Sequence, residues 1–312
     1  MSSHQHARGQ RIGFAQAPVE VRQWVRGRLG DPIADVIDCT GGMSPGPAAR
    51  LRSDSGTRVF AKACGPELNP DTPGLIRSEG RLLAGLPEHP CLPRLLDLYD
   101  DGRWVALLLE DLPGELPGVP WSADDLRRAS GVVAKVRRVL DDVSAGWLPS
   151  ARGHAPLFTD AWKLLGERLG QVDPWWAKHH DQLAAHAERA ATLIDGESVL
   201  HWDVRADNLI FAPGRDVLID WGQARRGAPW LDHALLATDC AMSGSVVSAM
   251  DFFAFEPALA ERDPADLVSL MAAAAMTFAA RMSDPAPPGL PTMPATRARW
   301  AENLRRELAE LL

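Results

Sequence analysis

The stretch LHWDVRADNLIFAPGRDVLIDWG, residues 200–222, contains the strongest chemical signal in the chain. It begins where an apolar run ends, continues through a polar segment, and finishes with two short β-prone segments at residues 209–211 and 217–219. The turn between these segments contains Pro213 and Gly214, residue types that are typical of a turn in a β-hairpin. The stretch therefore predicts a strand, a polar loop and a hairpin, in that order.

The register of this hairpin would bring two polar side chains together. If Phe211 pairs with Val217, the antiparallel register places Asn208 opposite Asp220, with their Cβ atoms ~5 Å apart. An amide oxygen and a carboxylate at that separation can share a hard cation such as Mg²⁺, which prefers oxygen ligands. Asp203, on the loop just before the hairpin, would lie beside the metal without being a necessary ligand.

Each part of this pattern has an ordinary structural alternative. The pair His201-x-Asp203 also occurs in hydrogen-bonded loops and in metal sites, and D-x-G at residues 220–222 alone marks a turn after a strand. The joint order of strand, H-x-D-x-x-x-x-N, hairpin and D-x-G seldom arises by coincidence. We therefore interpret the whole stretch as one functional constellation.

The rest of the chain divides into two parts with different patterns. After a short helix at residues 19–29, the first part has the order strand, strand, strand, helix, strand, strand, at residues 33–39, 48–52, 58–63, 75–86, 95–99 and 104–109. A Pro-Gly-rich break follows at residues 113–118. Helical patterns dominate beyond it, at residues 122–140, 158–169, 175–194, 232–241, 266–282 and 296–312. These patterns predict an α+β protein with a boundary near Leu112.

The constellation resembles the aminoglycoside phosphotransferase family, the small-molecule branch of the protein-kinase-like fold. H-x-D-x-x-x-x-N at residues 201–208 is similar to that family's catalytic loop, and D-x-G at residues 220–222 is similar to its metal-binding motif. The resemblance extends from about residue 33 to residue 236. It implies a bilobal fold, with a nucleotide-binding sheet and helix in residues 1–112 and a mainly helical catalytic and substrate lobe in residues 113–312.

The resemblance also implies roles for the residues of the two motifs. Asp203 would orient a substrate hydroxyl and accept its proton, while Asn208 and Asp220 would hold Mg²⁺ on the phosphates of ATP or GTP. His201 would brace the loop rather than act as a base.

A lysine in the first part of the chain fits the same interpretation. Lys62 ends the segment VFAK and is the only lysine before residue 135, in a chain with four lysines among 33 basic residues. Phosphoryl transfer needs a cation on the α- and β-phosphates, held by an acidic partner on a helix. Glu79 is the natural partner, with Glu67 and Glu88 as rivals. The structural alternatives are a solvated lysine on an edge strand and a surface carboxylate on a helix.

The segment TGGMS at residues 40–44 resembles the family's nucleotide loop, in which backbone N–H groups approach phosphates. Gly41, Gly42 and Ser44 are its candidate nucleotide contacts, although paired glycines also occur in ordinary turns. Pro45 and Pro47 depart from the pattern, because they remove two backbone donors.

Two further parts of the nucleotide site are expected. Glu110 and Leu112 fall at the hinge between the lobes, whose backbone would bind the purine edge. Arg205 lies two residues after Asp203, where a cation could steady the transferring phosphate. A salt bridge between Arg205 and Asp207 is the alternative.

The acceptor would bind in the helical lobe. Asp232 and Asp239 could meet a polyamine, and Trp230 could offer an aromatic face to a cation or a sugar. The alternatives are a helix cap for Asp232 and core packing for the tryptophan.

These features predict a Mg²⁺-dependent kinase that phosphorylates a hydroxyl of a small molecule. The acceptor could be an aminoglycoside or another antibiotic, in which case the enzyme would confer antibiotic resistance, or a metabolite of the homoserine, choline or sugar type. A catalytically silent binding module is a further alternative, but the five key positions are all intact (Lys62, Glu79, Asp203, Asn208 and Asp220). A metal-dependent hydrolase would need a second histidine cluster, which does not accompany His201.

Composition argues against other classes. The chain has 33 Lys and Arg against 41 Asp and Glu, a formal charge of −8, whereas nucleic-acid binding needs a basic face. The longest apolar stretch, residues 267–280, is shorter than the ~18 residues that a membrane span needs, and residues 1–10 contain no apolar signal-peptide segment. Four scattered cysteines predict free thiols. We expect a cytoplasmic monomer or homodimer without nucleic-acid or membrane partners.

Overall fold

A five-stranded antiparallel sheet forms the first third of the protein, in which the first three strands are neighbours in chain order and the fifth strand lies between the third and the fourth. The computed structural model describes residues 9–144 and 146–312. Residues 1–8 lie outside the described residues. They make up most of residues 1–10, the segment that is predicted to contain no signal peptide. The strands are β1 Ile33–Asp38, β2 Ala48–Ser53, β3 Arg58–Cys64, β4 Leu95–Asp100 and β5 Val105–Glu110. Helix α1, Val19–Leu29, precedes the sheet, and helix α2, Thr72–Gly85, connects β3 to β4. The predicted order of elements in this part is confirmed.

The remainder of the chain is mainly helical. Its helices are α3 Ala123–Leu140, α4 Ala155–Glu167, α5 Pro174–Leu193, α6 Leu231–Ser243, α7 Ala249–Phe255, α8 Pro264–Arg281 and α9 Met293–Ala309. Helix α3 begins as its sequence predicts, because the Ser122 hydroxyl accepts a hydrogen bond from Asp125 N at 3.1 Å. Helix α9 begins three residues before the predicted start at Thr296, because Pro294 is tolerated in the first helical turn. Helix α7 was not predicted.

Two short antiparallel pairs interrupt the helices. Strand β6, Ser198–Leu200, pairs with β9, Arg225–Gly227, while β7, Leu209–Ala212, pairs with β8, Arg215–Leu218. The predicted register of the second pair is wrong by one residue, because Phe211 pairs with Asp216 rather than with Val217. Gly214 adopts a φ of +83°, which permits a two-residue turn tighter than the one that the sequence predicted.

Apolar side chains from both parts of the chain form one continuous core. It includes Leu82 and Leu107 on the sheet side, and Trp121, Trp221 and Leu304 on the helical side. Residues 267–280 lie within α8 and are largely buried in this core. Within the described ranges, every helix is too short or too polar to cross a membrane. The boundary near Leu112 stays a prediction.

All four cysteines have free thiols, as their spacing predicted. Cys64, Cys91 and Cys240 are buried.

Candidate active site

A cavity of about 500 Å³ lies between the sheet and the β7–β8 hairpin. Most of the residues predicted for nucleotide and metal binding line it, namely Gly41, Gly42, Lys62, Glu79, Glu110, Leu112, Asn208 and Asp220. Arg11, Arg50 and Asp111 also line it, although no sequence motif indicated them. Ser44 is outside the lining, and its hydroxyl accepts a hydrogen bond from Gly46 N at 3.4 Å.

Lys62 is the centre of an ion-pair cluster in this cavity. Its strand, β3, lies between β2 and β5, so the alternative of an edge-strand lysine is wrong. The Lys62 ammonium pairs with Glu79 of α2, and its Nζ lies 2.9 Å from Asp220 Oδ1. Burial alone would lower the pKa of Lys62, but the charges of Asp220 and Glu79 outweigh burial and raise it. The lysine therefore carries a positive charge inside the cavity.

Glu79 is the partner that the structure selects from the three acidic candidates. Its carboxylate is buried, and burial raises its pKa while the charge of Lys62 opposes the rise. The rival Glu67 instead accepts a hydrogen bond from Trp104 Nε1 at 2.7 Å. The alternative of a surface carboxylate at Glu79 is therefore wrong.

Asp220 lies just beyond β8 and faces the cavity, with 56% of its side chain exposed. Its φ of +64° is a left-handed conformation that is rare for a residue with a side chain and is typical of functional sites. The turn is held by Trp221, which is fully buried and donates from Nε1 to Leu218 O at 2.9 Å. The charge of Lys62 lowers the pKa of Asp220, so this carboxylate is ionised.

The D-x-G turn also packs directly against α2. A Cβ at Gly222 would lie 3.2 Å from Leu75 Cβ, closer than ordinary packing allows, so a glycine permits the approach. Since Glu79 is carried by the same helix, this contact fixes Glu79, Lys62 and Asp220 relative to one another.

The one-residue register shift changes how Asn208 is placed. Its backbone carbonyl accepts a hydrogen bond from Ile219 N at 2.9 Å, so Asn208 is opposite Ile219 and not opposite Asp220. Its side-chain Nδ2 donates to Asp203 O at 2.8 Å and to Asp203 Oδ2 at 2.9 Å. The amide oxygen of Asn208 takes no part in these contacts. Both Asn208 and Asp220 still line the cavity.

Asp203 contacts a cation as well as Asn208. Arg205 Nε lies 3.1 Å from Asp203 Oδ1, and Arg205 Nη2 lies 3.3 Å from Asp207 Oδ2. Burial raises the pKa of Asp203 to about 6, and the charge of Arg205 opposes the rise. Arg205 therefore forms the salt bridge to Asp207 that was one of its two alternatives, together with a second one to Asp203.

His201 is fully buried beneath the loop and links it to Ile219, just beyond β8. Its Nε2 donates to Ile219 O at 2.8 Å, and its Nδ1 accepts from Asp203 N at 3.3 Å. Its ring packs edge-on against Trp221, with centroids 4.7 Å apart.

Asp232 and Trp230 are buried and lie outside the lining of the cavity. Both carboxylate oxygens of Asp232 have partners, because they accept from His201 N at 2.9 Å and from Trp202 N at 3.0 Å. The helix-cap alternative is wrong, since Trp230 is the N-cap of α6 and Asp232 lies inside its first turn. Trp230 is buried, and the Arg262 guanidinium lies 4.5 Å above its ring.

Asp239 has a structural position similar to that of Asp232. It is buried and accepts from Trp121 Nε1 at 2.8 Å and from Ala206 N at 3.2 Å. Burial raises its pKa to about 7, with the charge of Arg205 acting in the opposite direction. Both acidic residues of α6 that could have met a polyamine therefore hold the loop from behind.

The two hinge residues have contacts within the protein, Glu110 through its carboxylate and Leu112 through its backbone carbonyl. The Glu110 carboxylate lies 2.6 Å from Arg215 Nη2 and accepts a hydrogen bond from Arg94 N at 2.9 Å. Leu112 is buried, and its carbonyl accepts from Gly114 N at 3.0 Å.

The oxygen groups in the cavity fit a small divalent cation. Asp220 supplies an ionised carboxylate, and the contacts of Asn208 through its nitrogen leave an amide oxygen as a second donor. Mg²⁺ is commonly held by one or two such groups and completes its shell with waters and phosphate oxygens. Among residues 9–144 and 146–312, no cluster of three or more His, Cys, Asp or Glu side chains is arranged to hold a metal.

The fold is shared with solved structures of kinases. A choline/ethanolamine kinase family protein from Mesorhizobium loti is similar, with a TM-score of 0.56, 14% identity and coverage of 93% of this chain and 94% of that chain. An amicoumacin kinase in complex with AMP-PNP, Ca²⁺ and Ami is similar at a TM-score of 0.55 and 10% identity, with coverage of 91% and 93%. At these identities the likeness shows the protein-kinase-like fold alone. No curated protein matches the sequence.

The family relationship is shown by the sequence of the central region. The model of the phosphotransferase enzyme family, APH, matches residues 49–266. This region extends from β2 into α8 and contains all five of the key positions, Lys62, Glu79, Asp203, Asn208 and Asp220. The chain therefore belongs to the phosphotransferase enzyme family.

Proposed function

We propose that the protein transfers the γ-phosphoryl group of ATP or GTP to a hydroxyl group of a small molecule. The observation that carries the proposal is the assembly of Lys62, Glu79 and Asp220 in one ion-pair cluster, with Asn208 lining the same cavity and hydrogen-bonded to Asp203. A binding module has no need to hold these five side chains together. The nucleotide would occupy the cavity, and the acceptor would approach Asp203 from the helical part of the protein.

Each of these side chains would have a distinct role. Lys62, positioned by Glu79, would bind the α- and β-phosphates, and Asn208 and Asp220 would hold Mg²⁺. The bound metal ion would neutralise charge on the phosphates. Asp203 would orient the acceptor hydroxyl and take its proton. A pKa near 6 favours this role, because a base is most effective when its pKa is close to the working pH.

The acceptor is the least constrained part of the proposal. Aminoglycosides, other antibiotics and metabolites of the homoserine, choline or sugar type all carry a suitable hydroxyl. The burial of Asp232 and Asp239 removes the two carboxylates that were expected to attract a polyamine. A polycationic acceptor would therefore need other carboxylates.

Nucleotide binding tests the metal role of Asp220 directly. Asp220→Ala should abolish Mg²⁺-dependent binding of ATP or GTP, because it removes the ionised oxygen ligand. Isothermal titration with and without Mg²⁺ would measure this effect, with Asp216→Ala on β8 as a matched control whose carboxylate pairs with Arg128 instead. Tight binding of the Mg²⁺-nucleotide by Asp220→Ala would refute the assigned role.

The acceptor class can be found by a turnover screen. Release of nucleoside diphosphate would be measured with ATP and with GTP against a panel of hydroxylated antibiotics and metabolites. We expect acceptor-dependent turnover that requires Mg²⁺. Mg²⁺-nucleotide binding without turnover on any compound of the panel would favour the silent binding module.

A further inference from the structure

An N-terminal arm, residues 9–13, lies across the glycine loop, residues 41–47. Gly9 N donates to Gly42 O at 2.9 Å, which fixes the arm on the loop. Gln10 N donates to Gly289 O at 2.7 Å, in the segment between α8 and α9. The arm therefore has defined contacts with the sheet side and with the helical side of the protein.

Arg11 extends from this arm into the lining of the cavity. Its Nε donates to Gly41 O at 2.6 Å and its Nη1 donates to Gly46 O at 2.9 Å. The guanidinium packs against Gly42, where an added Cβ would lie 2.6 Å from Nη2. Arg11 and Asp220 line the same cavity, and burial lowers the pKa of Arg11 while the charge of Asp220 acts against this.

The contacts of the loop explain why a cation is needed there. The carbonyl groups of Gly41, Gly42 and Gly46 accept hydrogen bonds from the arm. Pro45 and Pro47 have no backbone N–H. A loop that cradles phosphates does so with backbone donors, whereas this loop directs acceptors towards Arg11 and lacks two of its donors.

The charges in the cavity distinguish Arg11 from Lys62. Lys62 is compensated by two carboxylates, Glu79 and Asp220. Within the described part of the chain, the Arg11 guanidinium donates to carbonyl oxygens, and no carboxylate there lies within ion-pair distance of it. A half-buried guanidinium without a counter-ion is costly unless an anion comes to it. A phosphate group can accept from such a fork in a bidentate manner.

We infer that Arg11 is a nucleotide-binding residue, which supplies to the phosphates of the bound nucleotide the positive charge that the glycine loop cannot supply through backbone N–H groups. This inference rests on the proposed function, because it assumes that a nucleotide occupies the cavity. It assigns the N-terminal arm to the nucleotide site.

The dependence of affinity on the number of phosphates tests the inference. Isothermal titration would compare adenosine, AMP, ADP and ATP, and the matching guanosine series, with Mg²⁺ present, for the unchanged protein and for Arg11→Gln. We expect Arg11→Gln to lose about 10- to 100-fold in affinity for the di- or triphosphate, the usual effect of losing a charge-assisted hydrogen bond. Its affinity for the nucleoside should be unchanged.

Two further variants separate charge from loop support. Arg22→Gln is the matched control, because Arg22 Nε also donates to a backbone carbonyl, Ala17 O at 3.0 Å, and Arg22 does not line the cavity. It should bind every nucleotide like the unchanged protein. Arg11→Lys keeps the charge but lacks the planar fork of N–H groups that meets the two carbonyls. It should bind ATP more tightly than Arg11→Gln does.

Several results would overturn the inference. Equal ATP affinity in Arg11→Gln and the unchanged protein would do so, as would an equal loss for nucleoside and triphosphate, which is the result of loop support alone. ATP binding by Arg11→Lys no tighter than by Arg11→Gln would also do so. If the unchanged protein bound no nucleotide, the proposed function would fail together with the inference. If it bound nucleotide in a manner that required Asp220 but not Arg11, the inference alone would fail.

Discussion

Asp203 has contacts on both carboxylate oxygens, one with the Asn208 amide and the other with the Arg205 guanidinium. These partners orient the side chain, while burial raises its pKa to about 6. A carboxylate oriented in this way can serve as a proton acceptor without a change of rotamer when a hydroxyl arrives.

Asp203→Asn should separate catalysis from nucleotide binding. We expect kcat to fall by about 10²–10⁴, the usual contribution of a positioned base, with the Kd of the nucleotide nearly unchanged. Steady-state kinetics and titration calorimetry would measure the two quantities. Asp207→Asn is the matched control, because Asp207 is a second carboxylate that pairs with Arg205. Its effect on kcat should be much smaller. A kcat within about tenfold of the unchanged protein would contradict the role of Asp203 as a base.

At the level of secondary structure, helix α6 supports the loop of residues 201–208 from behind. Asp232 accepts hydrogen bonds from the backbone N–H groups of His201 and Trp202, and Asp239 accepts one from Ala206 N. The loop has little regular structure of its own, so these carboxylates supply acceptors that a strand or a helix would otherwise provide.

Asp232→Ala should destabilise the protein as well as the active site. It leaves two buried N–H groups without acceptors, at a cost of about 2–4 kcal/mol in the free energy of unfolding. Denaturant unfolding would measure this cost. Asp232→Asn keeps a carbonyl acceptor and should lose clearly less. Equal stability of the alanine variant and the unchanged protein would show that the loop is held by other contacts.

Across the whole molecule, Asp111 ties the sheet to the chain that leaves it for the helices. Its side chain is 2% exposed and accepts from Arg50 at 2.6 and 3.1 Å and from Arg58 at 2.8 Å. Burial alone would raise the pKa of Asp111, but the hydrogen bonds from the two arginines outweigh burial and lower it.

Stability should therefore depend on the charge of Asp111 in a defined pH range. Because the pKa is lower in the folded protein than its ordinary value of about 3.9, the stabilisation is complete above that value and is lost as the pH falls towards the folded pKa. Asp111→Asn should reduce the free energy of unfolding by about 1–3 kcal/mol at pH 7. This difference should stay constant down to about pH 4 and shrink below it.

Denaturant titrations between pH 7 and pH 3 would follow this difference. Asp124→Asn is the control, because the Asp124 side chain is 92% exposed in its pair with Arg127 and should contribute little at any pH. A difference between Asp111→Asn and the unchanged protein that widens below pH 4 would contradict the sign of the pKa shift.

Much of this architecture could be predicted from local patterns. The order of strands and helices follows from periodicity and turn residues, which are properties of neighbouring positions. Helix α3 begins where its pattern predicts, and the pairing of Lys62 with Glu79 occurs as expected. The motifs at residues 201–208 and 220–222 were sufficient to indicate the phosphotransferase family.

One error is local, and the others concern residues whose partners are distant in sequence. The hairpin register depended on how tightly Gly214 turns, and the position of Asp232 depended on a loop 30 residues earlier. Arg11 and Asp111 carry no motif, and the fold alone brings them to the lining of one cavity. Neighbouring residues encode periodicity and turns, whereas the partner of a buried charge is set by which segments pack together. For this reason the motifs could be recognised in the sequence, while the charged residues around them could be identified only from the tertiary structure.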